Sequence, residues 1–167
     1  AALSTAKAVT IANNATGVFT GDKSLTFSSA VIIEAGSNDN TIANTLSGGA
    51  TLNFSGGFTN NKTSNQTLNF RGSGSTVITG AIPAGGATQA VSIQVAPDAS
   101  LTLAGAVDTY TGSTIMYQGR LILEKAMTTT SSTLDFRGGT IEASADQTIS
   151  IPVTLGGDPA TFTGSSR

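Results

Sequence analysis

Short runs in which large apolar residues alternate with polar or small residues recur along the whole chain. The clearest form is a tripeptide in which two large apolar residues flank a third residue, usually a polar one. Because residues two apart in a β-strand share a face, the flanking Leu and Phe side chains should point inward while the middle one faces solvent. Each copy therefore predicts a short strand with one apolar face. The copies occupy 25–27, 52–54, 68–70, 101–103, 121–123 and 134–136.

Glycine follows most of these tripeptides within a few residues, as at Gly56, Gly72, Gly105 and Gly138. Glycine adopts positive φ angles without a steric penalty, so these positions suit tight corners between strands. No window places apolar residues at the three- and four-residue spacing of an amphipathic helix. The spacing between tripeptides is irregular, which is typical of a solenoid with two or three faces per coil and insertions between the recognisable strands.

The chain has 167 residues, enough for one domain with a sizeable core. We therefore expect 1–167 to form a single β-solenoid domain or a fragment of a longer repeat protein. Residues 1–20, with the alternating run 8–11, are expected to supply a capping or edge strand. The segment 161–164 begins a further unit without an obvious cap, and a solenoid end needs a polar lid or a neighbour.

Composition narrows the class of protein. Charged residues make up only 11% of the chain, while the hydrophobic fraction is 38%, too high for a disordered segment. The net charge of −2 gives no electrostatic basis for binding nucleic acid, and no apolar stretch is long enough to span a membrane. Cysteine is absent, which excludes disulfides and suits a protein exported through an oxidising compartment.

The residue inventory also limits catalysis. Without His or Cys the common metal sites and the Ser-His-Asp and Cys-His arrangements are impossible, and we expect no cofactor and no enzyme activity. Carboxylate chemistry remains, and its candidates are Asp135 with Glu142 and Asp108 with Glu124. Asp135 is the middle residue of a tripeptide, so a solvated acid beside Arg137 is the plainer interpretation.

The stretch 109–123 carries the most specific pattern in the chain. It resembles the autotransporter-associated β-strand repeat, whose unit reads Thr-Tyr-Thr-Gly-Gly-Thr-Thr-Val-x-x-Gly-x-Leu-x-Leu. The similarity covers about fifteen residues, and Ser113 replaces the second glycine of the unit. The residues in register with the unit are Thr109, Tyr110, Thr111, Gly112, Thr114, Gly119, Leu121 and Leu123.

This resemblance implies an all-β fold, a parallel β-solenoid (a right-handed β-helix) with short strands and Gly/Asn turns. It also implies export and display at the bacterial cell surface or in the extracellular space, without implying an activity. Tyr117, Gln118 and Arg120 depart from the unit and, with Tyr110, are the candidate contacts for a ligand or partner. Tyr110 or Tyr117 could stack on a sugar ring, although a tyrosine in this unit is more often a packed corner residue.

These observations predict a structural or adhesive protein of the bacterial surface or extracellular matrix that self-assembles head to tail into a fibre. Its expected partners are other copies of itself or neighbouring repeats, joined through terminal strands, and a cell-surface glycan. Two alternatives remain open at this stage. One is a polysaccharide-acting β-helix enzyme, and the other is a β-sandwich fibre subunit joined by strand donation.

Overall fold

A computed structural model describes residues 2–85, 88–105, 108–128 and 132–164. These residues form eighteen β-strands and no helix. In chain order the strands are β1 (Leu3–Thr5), β2 (Val9–Ile11), β3 (Thr16–Gly21), β4 (Leu25–Phe27), β5 (Val31–Ile33), β6 (Asn40–Leu46), β7 (Thr51–Phe54), β8 (Phe58–Asn60), β9 (Gln66–Gly72), β10 (Ser75–Ile78), β11 (Gln89–Val95), β12 (Ser100–Leu103), β13 (Thr114–Gln118), β14 (Arg120–Leu123), β15 (Leu134–Phe136), β16 (Gly139–Ala143), β17 (Val153–Leu155) and β18 (Ala160–Gly164).

The strands stack into three parallel sheets. The first sheet has the order β1-β4-β7-β10-β12-β14-β16-β18, the second β17-β15-β13-β11-β9-β6-β3, and the third β2-β5-β8. Consecutive strands therefore lie in different sheets, and each strand pairs with its counterpart one coil away. The fold is a β-solenoid of seven coils, as the alternating pattern predicted, and the two-sheet sandwich alternative is wrong because neighbouring strands run parallel.

The third face has regular strands in the first coils of the stack and irregular backbone in the later ones. Its strand ladder ends at β8, but Phe58 N still donates to Ala81 O at 3.0 Å, and Thr109 N donates to Ile82 O at 3.0 Å. Further on, Met127 forms an isolated parallel bridge with Ile149. The coils thus stay in contact on this face through irregular backbone.

The core consists of columns of inward-facing side chains, one above another along the stack. Fully buried members include Leu52, Phe70, Leu101 and Phe136. Aromatic rings reinforce one column, where Phe27 and Phe54 stack with centroids 5.4 Å apart. Each fully buried side chain of this size contributes about 1.5–3 kcal/mol to folding, so the columns account for much of the driving force.

The register explains the irregular spacing of the tripeptides. Those at 25–27, 52–54, 101–103 and 121–123 belong to the first sheet, whereas 68–70 and 134–136 belong to the second. Coil length also varies, from 19 residues between the partners Leu134 and Val153 to 28 between Asn40 and Leu68. The repeat is regular in space although it is irregular in sequence.

Candidate functional site

The stretch 109–123 forms the strand, corner and strand that its pattern predicts. Its strands β13 and β14 lie in the second and first sheets, and Gly119 turns the chain between them with φ +84°. A side chain at Gly139, the equivalent corner one coil later, would place its Cβ 2.6 Å from the Gly119 carbonyl oxygen. The corners of successive coils therefore touch, and the second requires glycine for space as well as for its φ of +92°.

Tyr110 lies inside the molecule. Only 2% of its surface is exposed, and its hydroxyl lies 2.6 Å from Thr114 Oγ1. Burial raises the pKa of the phenol well above its ordinary value, outweighing the hydrogen bond to Thr114. The packed-corner interpretation of Tyr110 is therefore confirmed, and its ring is not accessible for stacking on a sugar.

Tyr117 occupies a β-bulge. In the pairing of β11 with β13, Ile93 is opposite Met116, but Gln94 is opposite Gln118, so Tyr117 is the extra residue. Both Tyr117 and Gln118 consequently face outward, where strict alternation would have turned one of them inward. The bulge coincides with a shortening of the corner: it runs from Ile93 to Ser100 in one coil and from Met116 to Arg120 in the next.

The bulged tyrosine belongs to a charged cluster on the outer face of the second sheet. The Arg137 guanidinium lies 5.1 Å from the Tyr117 ring centroid and donates a 3.3 Å hydrogen bond to its hydroxyl. Asp135 accepts two hydrogen bonds from the same guanidinium, from Nε at 2.9 Å and Nη2 at 2.5 Å. The Asp135 contact raises the pKa of Arg137. Asp135 is thus a surface acid, as its place in the tripeptide predicted, and the structure pairs it with Arg137.

Arg120 lies in the first sheet, whereas Tyr117 and Gln118 lie in the second. It lies across the Gly119 corner at the start of β14 and forms an ion pair with Glu142. The four candidate contact residues therefore do not converge on one site: Tyr110 is in the core, Tyr117 and Gln118 share an outer face, and Arg120 is on the first sheet.

Among the candidate carboxylates, the structure shows ion pairs with basic residues for Asp135, Glu142 and Asp108. Asp135 and Glu142 lie in different sheets, and each is paired with its own arginine. Asp108 is buried and pairs with Lys125, whereas Glu124 is exposed. Over the four described ranges, no group of three or more acids is placed to hold a metal ion.

The Asp108–Lys125 pair is the feature that sequence reasoning missed. Lys125 Nζ lies 2.9 Å from Asp108 Oδ2, and both side chains are less than a tenth exposed. The other carboxylate oxygen, Oδ1, accepts a 2.8 Å hydrogen bond from Ile82 N. Burial raises the pKa of Asp108 despite the opposing effects of Lys125 and of this hydrogen bond. No local pattern links the two residues, because they meet only through coil stacking.

The two ends of the stack expose apolar side chains. Within the described part of the chain, the exposed large hydrophobic residues other than Tyr117 are Leu3, Val18, Val153, Leu155 and Phe162. All five lie in the first or last coil. At the first coil, Leu3, Phe19, Leu25 and Leu46 contribute to the lining of an open cavity of about 380 Å³.

No helix among the described residues is long and apolar enough to cross a membrane. Comparison of the chain with protein-family models, with curated proteins and with solved structures finds no match in any of the three.

Proposed function

We propose that this chain is a structural rod of an exported bacterial surface or matrix protein, and that copies of it associate head to tail into a fibre. The observation that carries the proposal is the exposure of core-column residues at the ends of the stack. Leu155 is 63% exposed and Phe162 is 51% exposed. In the middle of the stack the residues of these columns are buried, as at Leu101, Leu121 and Phe136.

Each of these columns runs through the whole stack, so the exposed residue in the last coil lies in line with the first residue of the column at the other end. Phe162 pairs with Ile141 at the end of the first-sheet column, and Leu3 pairs with Leu25 at its beginning. A second copy placed in the same register would bring its Leu3 against Phe162 and bury both side chains. The unpaired edges of β1 and β18 would then meet as parallel strands, as every other neighbouring pair in the sheet does.

The second sheet supports the same geometry. Leu155 ends the column that runs through Phe136 and Met116, and this column begins at Gly17. A glycine at one end thus lies in line with an exposed leucine at the other, which leaves room for the incoming side chain. Because the two docking surfaces differ, the contact is heterologous, and such contacts generate open filaments when they do not close into rings.

Export is supported by the composition and by the central repeat. The sequence lacks cysteine, and 109–123 resembles a repeat of exported surface proteins. The same two observations support the proposed location at the cell surface or in the extracellular space.

Head-to-tail docking is tested with one variant at each end. Leu3→Asp damages the first coil and leaves the last intact, whereas Leu155→Asp does the reverse. We expect the unmodified chain to form fibres in electron micrographs and each variant alone to sediment as a monomer. An equimolar mixture of the two variants should give dimers, since one intact end of each kind remains.

The matched control is Tyr117→Asp, which places the same charge at an exposed apolar position away from both ends. It should assemble like the unmodified chain. A chain that remains monomeric at all concentrations contradicts the proposal, as does a Leu3→Asp variant that dimerises alone, because that would require an end to pair with its own kind.

Glycan adhesion is a second candidate, favoured by one observation. Among the described residues, Tyr117 is the exposed large hydrophobic residue that lies away from the two ends of the stack. A bulge directs its side chain outward beside Gln118. Aromatic rings with neighbouring amides suit sugar recognition. Binding to a glycan array should fall for Tyr117→Ala and persist for Leu155→Asp, and equal binding by both variants would exclude this surface.

A further inference from the structure

The buried pair Asp108 and Lys125 joins two successive coils on the third face. This is the face on which the strand ladder ends at β8, so its later coils are held by irregular backbone. The sequence has no cysteine with which to cross-link them. A covalent link here would fasten the face that, among the described residues, has the fewest ladder hydrogen bonds.

The surroundings of the pair favour reaction over hydration. Tyr110 and Met127 border the pair together with Ser132, and all three are buried. The void beside the pair has a volume of about 10 Å³, near the minimum that one water molecule needs. An ion pair removed from water loses the solvation that keeps it charged, which favours transfer of a proton from the ammonium to the carboxylate.

We propose that Lys125 and Asp108 form an intramolecular isopeptide bond. The Nζ–Oδ2 distance of 2.9 Å places the amine beside the carboxyl group it would attack. Oδ1 is held by the backbone N–H of Ile82 at 2.8 Å, and this donor would stabilise the negative charge that develops on Oδ1 in a tetrahedral intermediate.

The reaction is a dehydration and needs no oxidant or other co-reactant. The Lys125 ammonium first gives one proton to Oδ2, which leaves a neutral amine and a carboxylic acid. The amine nitrogen then bonds to Cγ of Asp108. A second nitrogen proton passes to the Oδ2 hydroxyl, the Cγ–Oδ2 bond breaks, and Oδ2 departs as water. One proton remains on the new amide nitrogen.

Lys23 and Lys62 each lack one of the requirements. Lys23 lies 2.5 Å from Asp22 Oδ2, but both side chains are more than half exposed and remain hydrated. Lys62 is buried, but its ammonium donates to an amide oxygen of Asn13 and a backbone carbonyl of Asn38, neither of which is a carboxyl group. The Lys23–Asp22 pair therefore provides an internal control.

Intact-mass spectrometry of the purified chain tests the proposal directly. We expect the mass to fall short of the sequence mass by one water molecule. Trypsin should leave Lys125 uncut and yield peptide 72–120 joined to peptide 121–137. Asp108→Ala and Lys125→Arg should each restore the full mass, whereas Asp22→Ala should keep the loss of water.

Two results overturn the proposal. One is an unmodified chain whose intact mass equals the sequence mass and whose Lys125 is cut by trypsin. The other is a loss of water that persists in Lys125→Arg, because that loss would arise from cyclisation of an aspartate with its own backbone. The mass of the unmodified chain decides the question even where a variant fails to fold.

Discussion

The ammonium of Lys62 donates a 2.7 Å hydrogen bond to Asn13 Oδ1, which joins residues two coils apart. It also donates to the carbonyl oxygen of Asn38 in the coil between them, at 2.8 Å. Lys62 is only 2% exposed, so one side chain fastens the same corner of three successive coils. This contact between coils is polar, unlike those within the apolar side-chain columns of the core.

Replacing Lys62 should therefore change both the stability and its pH dependence. We expect Lys62→Met to lower the free energy of unfolding by about 1–3 kcal/mol at neutral pH, because two charge-assisted hydrogen bonds are lost. Burial lowers the pKa of Lys62 below its ordinary value of 10.5, against the opposing influence of Asp39 and Glu34. The folded state thus disfavours the charged form, and this cost disappears as the pH rises through the folded pKa towards 10.5.

The unfolding free energy of the unmodified chain should accordingly rise with pH relative to that of Lys62→Met as 10.5 is approached. Urea denaturation of both proteins at a series of alkaline pH values measures this difference, in which the titration of all other groups cancels. A difference that stays constant or shrinks with pH would show that burial does not lower this pKa.

The contact between successive corners predicts a severe effect for Gly139→Ala. The new Cβ would lie 2.6 Å from Gly119 O and the backbone would be held at φ +92°. We expect a loss of about 2–4 kcal/mol, from the backbone strain together with the collision. Gly48→Ala is the matched control, since Gly48 has φ +63° but no atom within 4 Å of its Cβ position. Gly48→Ala should lower the free energy of unfolding by only about 1 kcal/mol. Equal losses of stability in the two variants would show that the contact with Gly119 O does not contribute.

The core columns predict different losses of stability for truncation of Phe136, inside the stack, and of Phe162, at its end. Phe136 is fully buried, and its truncation to alanine should cost about 3–5 kcal/mol because it leaves a cavity. Phe162 contacts Phe136 edge to face at 5.1 Å but is 51% exposed. Phe162→Ala should cost about 1 kcal/mol when measured on the monomer. Thermal denaturation at a concentration below assembly compares them, and a larger loss at Phe162 would contradict the column description.

The cluster on the outer face should be energetically weak because its side chains are partly exposed to solvent. A double-mutant cycle of Tyr117→Ala and Arg137→Ala is expected to give a favourable coupling energy, because the Arg137 guanidinium contacts the Tyr117 ring. The control cycle combines Tyr117→Ala with Arg120→Ala on the other sheet, where the effects should add within about 0.5 kcal/mol. Coupling of the same size in both cycles would mean that Arg137 does not specifically contact Tyr117.

Sequence reasoning was most effective where the signal is local. Alternation identified the strands around Leu52 and Leu121, and the glycine at 119 marked the corner, because side-chain period and backbone freedom act within a few residues. The place of Asp135 on the surface beside Arg137 was also predicted, because the middle residue of a tripeptide faces outward. The strand β10 was overlooked because Thr76 stands where the other first-sheet strands carry leucine or another large apolar residue.

The remaining features depend on which residues lie one coil apart. Coil length varies between 19 and 28 residues, so no fixed interval links Asp108 with Lys125 or Asn13 with Lys62. The bulge at Tyr117 likewise arises from the change in corner length between two particular coils. Such contacts can be recognised only after the register of every preceding coil is known.

Because each strand pairs only with strands one coil away, the stability of the stack is approximately a sum of contacts between adjacent coils. Such a molecule need not unfold all at once. Amide hydrogen exchange should be fastest in β1 and β18, each of which has a partner on one side only, and slowest in β10 and β12, which are covered on both sides. Docking of a second copy would slow exchange in the end strands first, so fibre growth and resistance to fraying would increase together.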